Sequence, residues 1–309
     1  MTAQLRHFLI DDDLDAAEVT AILDHADALK RDRLADRPLA GPKSVAVLFE
    51  KQSTRTRVSF EVGIAELGGH PVILDTRTSQ MGRGETIEDT ARVLSRYVSA
   101  IVLRTAGHHR IEILAQNASV PVINALTDLA HPCQWLADLM TIREHRGNPA
   151  GRTISYIGDG NNVAHSILLG GALAGMHVRV ASPDGYQPSS EIVGRATTIT
   201  KLSGGSVTVI DDPVAASVGA DVLYTDVWAS MGQESETAER SMIFAPYQID
   251  DRLVDLAADD VMVLHCLPAH RGEEITASVI DGAHSFVFEQ AENRLHAQKA
   301  LLAFLVEHA

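Results

Sequence analysis

Basic residues are scarce in this sequence. Lysine and arginine number 26 against 41 aspartates and glutamates, which gives a formal net charge of -15 at pH 7. A protein that binds nucleic acid needs a basic surface to neutralise the phosphate backbone, and this composition does not supply one. We therefore expect no nucleic-acid partner, and a small anionic ligand would require a local cluster of arginine and histidine.

Long apolar runs and closely spaced cysteines are also missing. No stretch reaches the roughly 18 apolar residues of a membrane-spanning helix, and the N-terminal region carries Asp11, Asp12 and Asp13 rather than the basic residues of a secretory signal. The two cysteines, Cys133 and Cys266, form neither a CxxC pattern nor a disulfide framework. These absences predict a cytoplasmic protein with reduced thiols and no membrane contact.

What the sequence does contain is an alternation of short β-rich runs and helical patterns. With 309 residues, 45% of them hydrophobic, the chain can form more than one core. The alternation of strand and helix predicts an α/β protein with parallel sheets covered by helices. The predicted strands are 44–49, 71–74, 100–103, 120–124, 153–157, 177–181, 206–210, 221–225, 261–264 and 285–288.

A domain boundary is predicted at 145–152, where His-Arg-Gly-Asn-Pro-Ala-Gly-Arg ends a long helix and precedes a new strand. This boundary gives two domains of similar size, 1–147 and 148–290, and we expect the final helix, within 291–309, to pack back on the first. In parallel sheets ligands bind beyond the carboxyl ends of the strands. We therefore expect the active site in the cleft between the two domains.

The first candidate site is a helix start at 53–57. Ser53 is a suitable N-cap, but Arg55 and Arg57 occupy the first turn, where the helix dipole disfavours positive charge by a few tenths to about 1 kcal/mol each. A phosphate bound to the free N–H groups would remove this penalty. The alternative is that both side chains turn to solvent or pair with Glu61 or Glu66.

The second candidate site combines Arg104 with a helix that begins after His131. Arg104 follows an apolar strand, a position where a lone arginine is more often a surface residue. His131 precedes Pro132, which suits the first helical position; the histidine could donate to an oxyanion or simply cap its helix. Gln134 offers an amide that can recognise another amide. Cys133 lacks an arranged base, so we expect a packed side chain rather than a nucleophile.

Together, Ser-Thr-Arg-Thr-Arg at 53–57, Arg104 and His-Pro-Cys-Gln at 131–134 resemble the signature of the aspartate and ornithine carbamoyltransferase family. The resemblance covers essentially the whole chain. It implies that Arg104 and His131 polarise the carbamoyl oxygen of carbamoyl phosphate and that Gln134 holds its amino group, while Arg57 supports the site. The residues that would hold the phosphate are Ser53, Thr54, Arg55 and Thr56.

The second half should bind the acceptor. The turn Gly-Asp-Gly-Asn-Asn at 158–162 could suggest a dinucleotide site, but Val163 stands where the third glycine belongs, so we expect no such cofactor. Asp226, His265 and Cys266 are residue types that bind zinc, yet their spacing matches no structural zinc motif, and we expect no metal. An amino-acid acceptor instead needs groups for its ammonium and carboxylate.

Two segments resemble the ornithine-specific branch of the family: Asp-Val-Trp-Ala-Ser-Met-Gly at 226–232 and His-Cys-Leu-Pro at 265–268. His265 itself is expected to be packed or hydrogen-bonded, and His270 and Arg271 could close over the substrate. For ornithine the resemblance implies Asn162, Asp226, Ser230 and Met231, with Asn161 left open as the alternative to Asn162. For carbamoyl phosphate it adds Cys266, Leu267, Arg294 and, from a neighbouring subunit of a homotrimer with shared active sites, Gln80.

The resemblance thus implies transfer of the carbamoyl group from carbamoyl phosphate to the δ-amine of L-ornithine, in arginine biosynthesis and without a cofactor. Its catalytic residues would be Arg104, His131, Cys266 and Asp226. The alternatives are another acceptor, putrescine or acetylornithine, and a noncatalytic regulator that keeps the fold. Biosynthetic or catabolic use stays open because it depends on affinities and cooperativity.

Overall fold

The computed structural model describes residues 5–51, 53–76, 79–229 and 236–309. The chain divides into two compact units. The first comprises Met1–Met140 together with Glu292–Ala309, and the second comprises Thr141–Ala291. The boundary at 147/148 stays a prediction.

The described part of the first unit contains a parallel four-stranded sheet in the order β2-β1-β3-β4. Apart from Ser44 and Arg104 at their ends, its central strands are apolar because both faces of the sheet are covered. Phe49 at the end of β1 is in register with both Asp75 and Arg104, so the carboxyl ends of three strands lie side by side. The strands are β1 (Ser44–Phe49), β2 (His70–Asp75), β3 (Ala100–Arg104) and β4 (Val122–Leu126).

Helices cover this sheet. In the second of them, Phe60 and Ile64 are buried one turn apart, as a helix with one apolar face requires. Leu302 and Leu305 of the last helix are buried as well. The helices are α1 (Ala16–Arg31), α2 (Thr54–Glu66), α3 (Ile87–Leu94), α4 (His108–Asn117), α5 (Pro132–Arg146) and, at the end of the chain, α12 (Val287–Glu307).

The described part of the second unit contains a parallel five-stranded sheet in the order β7-β6-β5-β8-β9. Its strands are β5 (Thr153–Ile157), β6 (His177–Ala181), β7 (Ser206–Ile210), β8 (Val222–Thr225) and β9 (Met262–His265). Its helices are α6 (Asn162–Leu173), α7 (Ser190–Ser203), α8 (Pro213–Ser217), α9 (Thr237–Phe244), α10 (Asp251–Leu256) and α11 (Ala277–Ile280). The predicted α/β class, with two parallel sheets covered by helices, is confirmed.

The strand predicted at 285–288 is wrong. In this segment Phe286 makes one backbone hydrogen bond with Val263 and Ser285 forms one isolated bridge with it, but helix α12 begins at Val287. Val287 is buried whereas Phe288 is 66% exposed. A run of four residues is too short to separate strand from helix by its pattern, and the long apolar face of α12 decides the outcome.

In the described ranges, no helix combines the length and the apolar character needed to cross a membrane.

Candidate active site

The N-terminus of α2 opens onto a cleft of about 320 Å³ in the first unit. Ser53 occupies the N-cap position without making a side-chain capping bond, and it lines the cleft together with Thr54 and Arg57. Lys51 and Asp75, from just beyond β1 and the end of β2, line it too. The cleft therefore combines the N-terminus of a helix, which favours an anion, with the basic Lys51 and Arg57 and the acidic Asp75.

The two first-turn arginines of α2 differ in their surroundings. Arg57 is exposed and lies 3.9 Å from Glu61, so the predicted alternative of a surface ion pair holds for this residue. Arg55 is also exposed, and among the described residues no hydrogen bond or ion pair joins it. Since exposed ion pairs contribute little, the pair of Arg57 and Glu61 adds little to the stability of the first unit.

Behind this helix start lies a buried set of polar residues that we call the arginine cluster: Thr56, Arg104, Gln134 and Arg294. Thr56 is 1% exposed, and its Oγ1 accepts from Arg294 at 3.0 Å and from Arg104 at 3.5 Å. Arg104 ends β3 and Arg294 lies in α12. Two guanidinium groups thus share one hydroxyl in the interior of the first unit.

Gln134 completes the arginine cluster from α5. Its Oε1 accepts from Arg294 at 2.6 Å, and its Nε2 donates to Asp138 at 2.7 Å, one turn further along the helix. Asp138 is a residue that the sequence prediction did not assign. Its only sequence signal is the spacing of four residues, which places it on the same helix face as Gln134.

His131 lies just before α5 and is buried. Burial, followed by the positive charges of Arg294 and Arg104, holds the pKa of its imidazole well below the usual value of 6.5. The ring is therefore neutral at physiological pH and can donate one N–H to a developing negative charge.

Cys133 is buried in the same helix and donates from Sγ to the carbonyl oxygen of Asn124 at 3.3 Å. Burial raises the pKa of its thiol to about 12. A thiolate nucleophile is thereby disfavoured, in agreement with the expected packing role.

Gln80 lies apart from the arginine cluster. It occupies the N-cap position of a short 3-10 helix, Met81–Arg83, and its side chain is exposed. Its contact with a neighbouring subunit stays a prediction.

In the second unit, the turn after β5 leads to Asn161. Gly158 has a φ of +145°, and a side chain at Gly160 would meet the backbone nitrogen of Pro188 at 2.2 Å, so both positions require glycine. Asn161 caps α6: its Oδ1 accepts from the backbone N–H of Val163 at 2.9 Å. Its Nδ2 is thereby left to donate to Asp226.

Asn161, Asp226 and Cys266 form a second set, the aspartate cluster. Asp226, 7% exposed, accepts from Asn161 Nδ2 at 2.9 Å, from Cys266 Sγ at 2.9 Å and from the N–H of Val227 at 2.8 Å. Asn162, the preferred prediction, is the first residue of α6. Which asparagine contacts a ligand stays a prediction, and Asn161 is a residue that donates to Asp226.

His265 fixes the backbone next to Cys266. Its Nδ1 accepts from the N–H of Leu267 at 2.9 Å, and its Nε2 lies 3.0 Å from Glu274 Oε1; both side chains are fully buried. Leu267 has a φ of +57°, a conformation that non-glycine residues rarely adopt. The expected hydrogen-bonding role of His265 agrees with these contacts, whereas its partner Glu274 has no sequence signal.

The alternative of a metal site rests on Asp226, His265 and Cys266, whose candidate ligand atoms lie within 4.8 Å of one another. Both ring nitrogens of His265 already contact protein groups, and the Cys266 thiol donates to Asp226. These contacts favour a hydrogen-bonded site. The lack of a metal stays a prediction.

The remaining predicted residues are in three different places. Leu267 and Cys266 are half-buried on the same loop after β9. Ser230 and Met231 lie outside the described residues. Arg271 pairs with Asp281 at 2.7 Å on the surface.

A buried ion pair holds the loops beside the aspartate cluster. Arg240 donates to Asp159 at 2.8 Å and to the carbonyl oxygen of Trp228 at 2.8 Å. Burial raises the pKa of Asp159 even against the pull of Arg240. This pair ties the turn after β5 to the segment after β8, and the sequence prediction missed it because the partners are far apart in the chain.

Comparisons with known proteins agree with the motifs. The family model described as "Aspartate/ornithine carbamoyltransferase, carbamoyl-P binding domain" matches residues 6–144. The model described as "Aspartate/ornithine carbamoyltransferase, Asp/Orn binding domain" matches residues 150–305. The two models together span nearly the whole chain.

Full-length relatives and solved structures carry the same name. An ornithine carbamoyltransferase from Acidothermus cellulolyticus is 65% identical over 305 residues, covering 99% of this chain and 98% of that protein. One from Parafrankia sp. is 60% identical over 311 residues, covering 99% and 97%. The structure of ornithine carbamoyltransferase from Pyrococcus furiosus has a TM-score of 0.93 at 51% identity, covering 98% of this chain and 97% of that one. This chain belongs to the aspartate/ornithine carbamoyltransferase family.

Proposed function

We propose that this chain is an ornithine carbamoyltransferase, which transfers the carbamoyl group of carbamoyl phosphate to the δ-amine of L-ornithine and releases L-citrulline and phosphate. The observation that carries the proposal is the arginine cluster, where Arg104, Arg294 and Gln134 gather buried cationic and amide groups around Thr56. The full-length relatives named ornithine carbamoyltransferase support ornithine as the acceptor.

In this proposal the first unit binds carbamoyl phosphate. The start of α2 offers its N–H groups and the side chains of Ser53, Thr54 and Arg55 to the phosphate. Arg104 and neutral His131 donate to the carbamoyl oxygen, on which negative charge develops when the carbon becomes tetrahedral. Gln134 accepts from the carbamoyl amino group.

The second unit binds the amine in this proposal. The amine attacks the carbamoyl carbon, the bond from that carbon to the phosphate oxygen breaks, and the nitrogen gives up a proton to the departing phosphate. A free primary amine has a pKa near 10.4, so the site must select its neutral form. Asp226, with Cys266 beside it, is the hydrogen-bond acceptor that can hold the α-ammonium group of ornithine. Asn162, Ser230 and Met231 are the further predicted ornithine contacts.

An acceptor panel tests the proposal. The purified protein is given carbamoyl phosphate labelled with ¹³C at the carbamoyl carbon and, in parallel, ornithine, putrescine, N-acetylornithine or aspartate. We expect labelled citrulline from ornithine, with kcat/KM at least about a hundredfold above that for the other amines, since a site built for a polar group discriminates strongly against its absence. If another amine gave a higher kcat/KM, that amine and not ornithine would be the acceptor. If no carbamoyl transfer occurred with any amine, the result would favour a noncatalytic regulator.

We further propose a homotrimer in which Gln80 reaches the carbamoyl phosphate of a neighbouring subunit. The exposed position of Gln80, away from the arginine cluster, is compatible with this role. Complementation tests it: Gln80→Ala and Arg104→Leu subunits, each poorly active alone, should regain activity when unfolded and refolded together, because a mixed site can contain both native residues. Additive activities without recovery would contradict shared sites.

The free thiols bear on where the enzyme acts in the cell. We propose that the enzyme acts in the cytoplasm, where its free thiols Cys133 and Cys266 would stay reduced, and that it serves arginine biosynthesis.

A further inference from the structure

Asp138 is a carboxylate buried beside the arginine cluster. It is 1% exposed and lies in α5 one turn after Gln134. Aspartate is seldom buried to this degree without a specific task, because removing a charge from water is unfavourable unless partners compensate.

The contacts of Gln134 define the orientation of its amide. Nε2 donates to Asp138 Oδ1 at 2.7 Å, and Oε1 accepts from Arg294 at 2.6 Å. A carboxylate only accepts hydrogen bonds and a guanidinium only donates them, so the reversed amide would face an acceptor with its oxygen and a donor with its nitrogen. Asp138 and Arg294 therefore hold the amide in one orientation.

Arg294 is itself held in place. It donates to Thr56 Oγ1 at 3.0 Å. In the amide orientation that satisfies its neighbours, the side-chain oxygen of Gln298 lies 3.1 Å from Arg294 Nε, and the amide nitrogen lies 2.6 Å from Ser59 Oγ. Oε1 of Gln134 consequently has a fixed position, with one of its two lone pairs used by Arg294 and the second able to accept from a ligand.

We propose that Asp138 is a positioning residue that makes the carbamoyl site selective for an acyl phosphate bearing an amino group. The inference rests on the proposed function, in which Gln134 binds the carbamoyl NH₂. A methyl group in place of that NH₂, as in acetyl phosphate, would leave Oε1 facing a group that cannot donate. Sites that lose a hydrogen bond in this way reject the analogue.

Two stable analogues measure this selectivity without turnover. Phosphonoacetamide and acetonylphosphonate both carry a methylene in place of the bridging oxygen and differ only in NH₂ against CH₃. Isothermal titration gives the ratio of their dissociation constants for wild type, Asp138→Ala and Asp138→Asn. Both variants remove the charge, but only asparagine keeps an oxygen that can accept from Gln134 Nε2, so Asp138→Asn is the matched control.

The wild type should bind phosphonoacetamide more tightly than acetonylphosphonate. The ratio of the two dissociation constants should fall about tenfold in Asp138→Ala, the loss typical of one positioned hydrogen bond. In Asp138→Asn the ratio should stay within about threefold of the wild-type ratio. Affinity for inorganic phosphate should change equally in both variants. If Asp138→Ala does not fold, Asp138→Leu, an apolar side chain of closer volume, replaces it with the same expectation.

The inference is overturned if Asp138→Ala, or Asp138→Leu in its place, binds both analogues more weakly by the same factor and so keeps the wild-type ratio. That pattern would show that Asp138 contributes to packing alone. Failure of the proposed function is a separate result, namely a wild type that forms no citrulline. If the wild type formed citrulline but bound both analogues equally, Gln134 would not recognise the carbamoyl NH₂. The proposed role of Asp138 would then be contradicted as well.

Discussion

The arginine cluster of the first unit and the aspartate cluster of the second differ in the charge that they bury. The first contains two guanidinium groups, Arg104 and Arg294, near a neutral His131 and the carboxylate of Asp138. The second centres on Asp226, which accepts from an amide, a thiol and a backbone N–H.

The charged side chains that define each cluster are opposite in sign to the groups that its proposed substrate would place there. A buried charge is favourable only when groups of opposite charge or hydrogen bonds compensate it, and a bound substrate would add to that compensation. The dianionic acyl phosphate suits the first cluster, and the α-ammonium group of ornithine suits the second. The division of labour can be tested by removing charge or donors from one cluster at a time.

The largest effect should come from Arg104→Leu. The variant removes a donor from the position where oxyanion charge develops, and such losses typically lower kcat by about a hundredfold to a thousandfold. Arg104 is buried, and leucine can fill much of the space of its side chain, so the variant should keep the far-ultraviolet circular dichroism of the wild type. Arg31→Leu, at an exposed arginine of α1, is the control and should keep its activity. Near-normal citrulline formation by Arg104→Leu would remove Arg104 from the mechanism.

A smaller effect is expected at Cys266. Its thiol donates to Asp226 at 2.9 Å, so Cys266→Ala should lower kcat by about tenfold, the loss typical of one hydrogen bond to a charged group. Cys266→Ser keeps a donor and should lose less. Steady-state rates at saturating carbamoyl phosphate compare the two variants, and equal losses would show that the contact with Asp226 does not explain the role of Cys266.

The smallest effect concerns stability and His131. Burial and the nearby Arg294 and Arg104 lower the pKa of the folded imidazole below its usual 6.5, so below that pH the unfolded chain binds a proton that the folded chain does not. Stability should therefore fall as the pH falls through 6.5 toward the folded pKa. His131→Asn should lose less stability than the wild type between about pH 8 and about pH 5 in urea unfolding. An equal loss in both proteins would contradict a neutral, buried His131.

Sequence reasoning predicted the parallel strands and several site positions because these depend on local pattern. Arg104 at a strand end and Thr56 in the first turn of α2 follow from short runs of residues that the structure reproduces. Even the pair Gln134 and Asp138 is separated by one helical turn, and it could be recognised from the spacing.

The remaining contacts depend on how distant segments pack. Arg294 reaches residues 160 and 238 positions away, Gln134 and Thr56, and no local pattern encodes such distances. The buried pair of His265 and Glu274 joins a strand end to a loop without any helical or strand period. At 285–288 the local pattern was misleading, because the apolar face of a long helix outweighs four strand-like residues.

The most direct test of the account is a crossed measurement of KM for both substrates in two variants. Arg55→Gln, in the first unit, should raise KM for carbamoyl phosphate by about tenfold and leave KM for ornithine within about twofold, whereas Asp226→Asn, in the second, should do the reverse. Arg31→Gln and Asp255→Asn, at exposed positions of α1 and α10, are the matched controls. If both Arg55→Gln and Asp226→Asn raised KM for the same substrate, the assignment of one substrate to each unit would be contradicted.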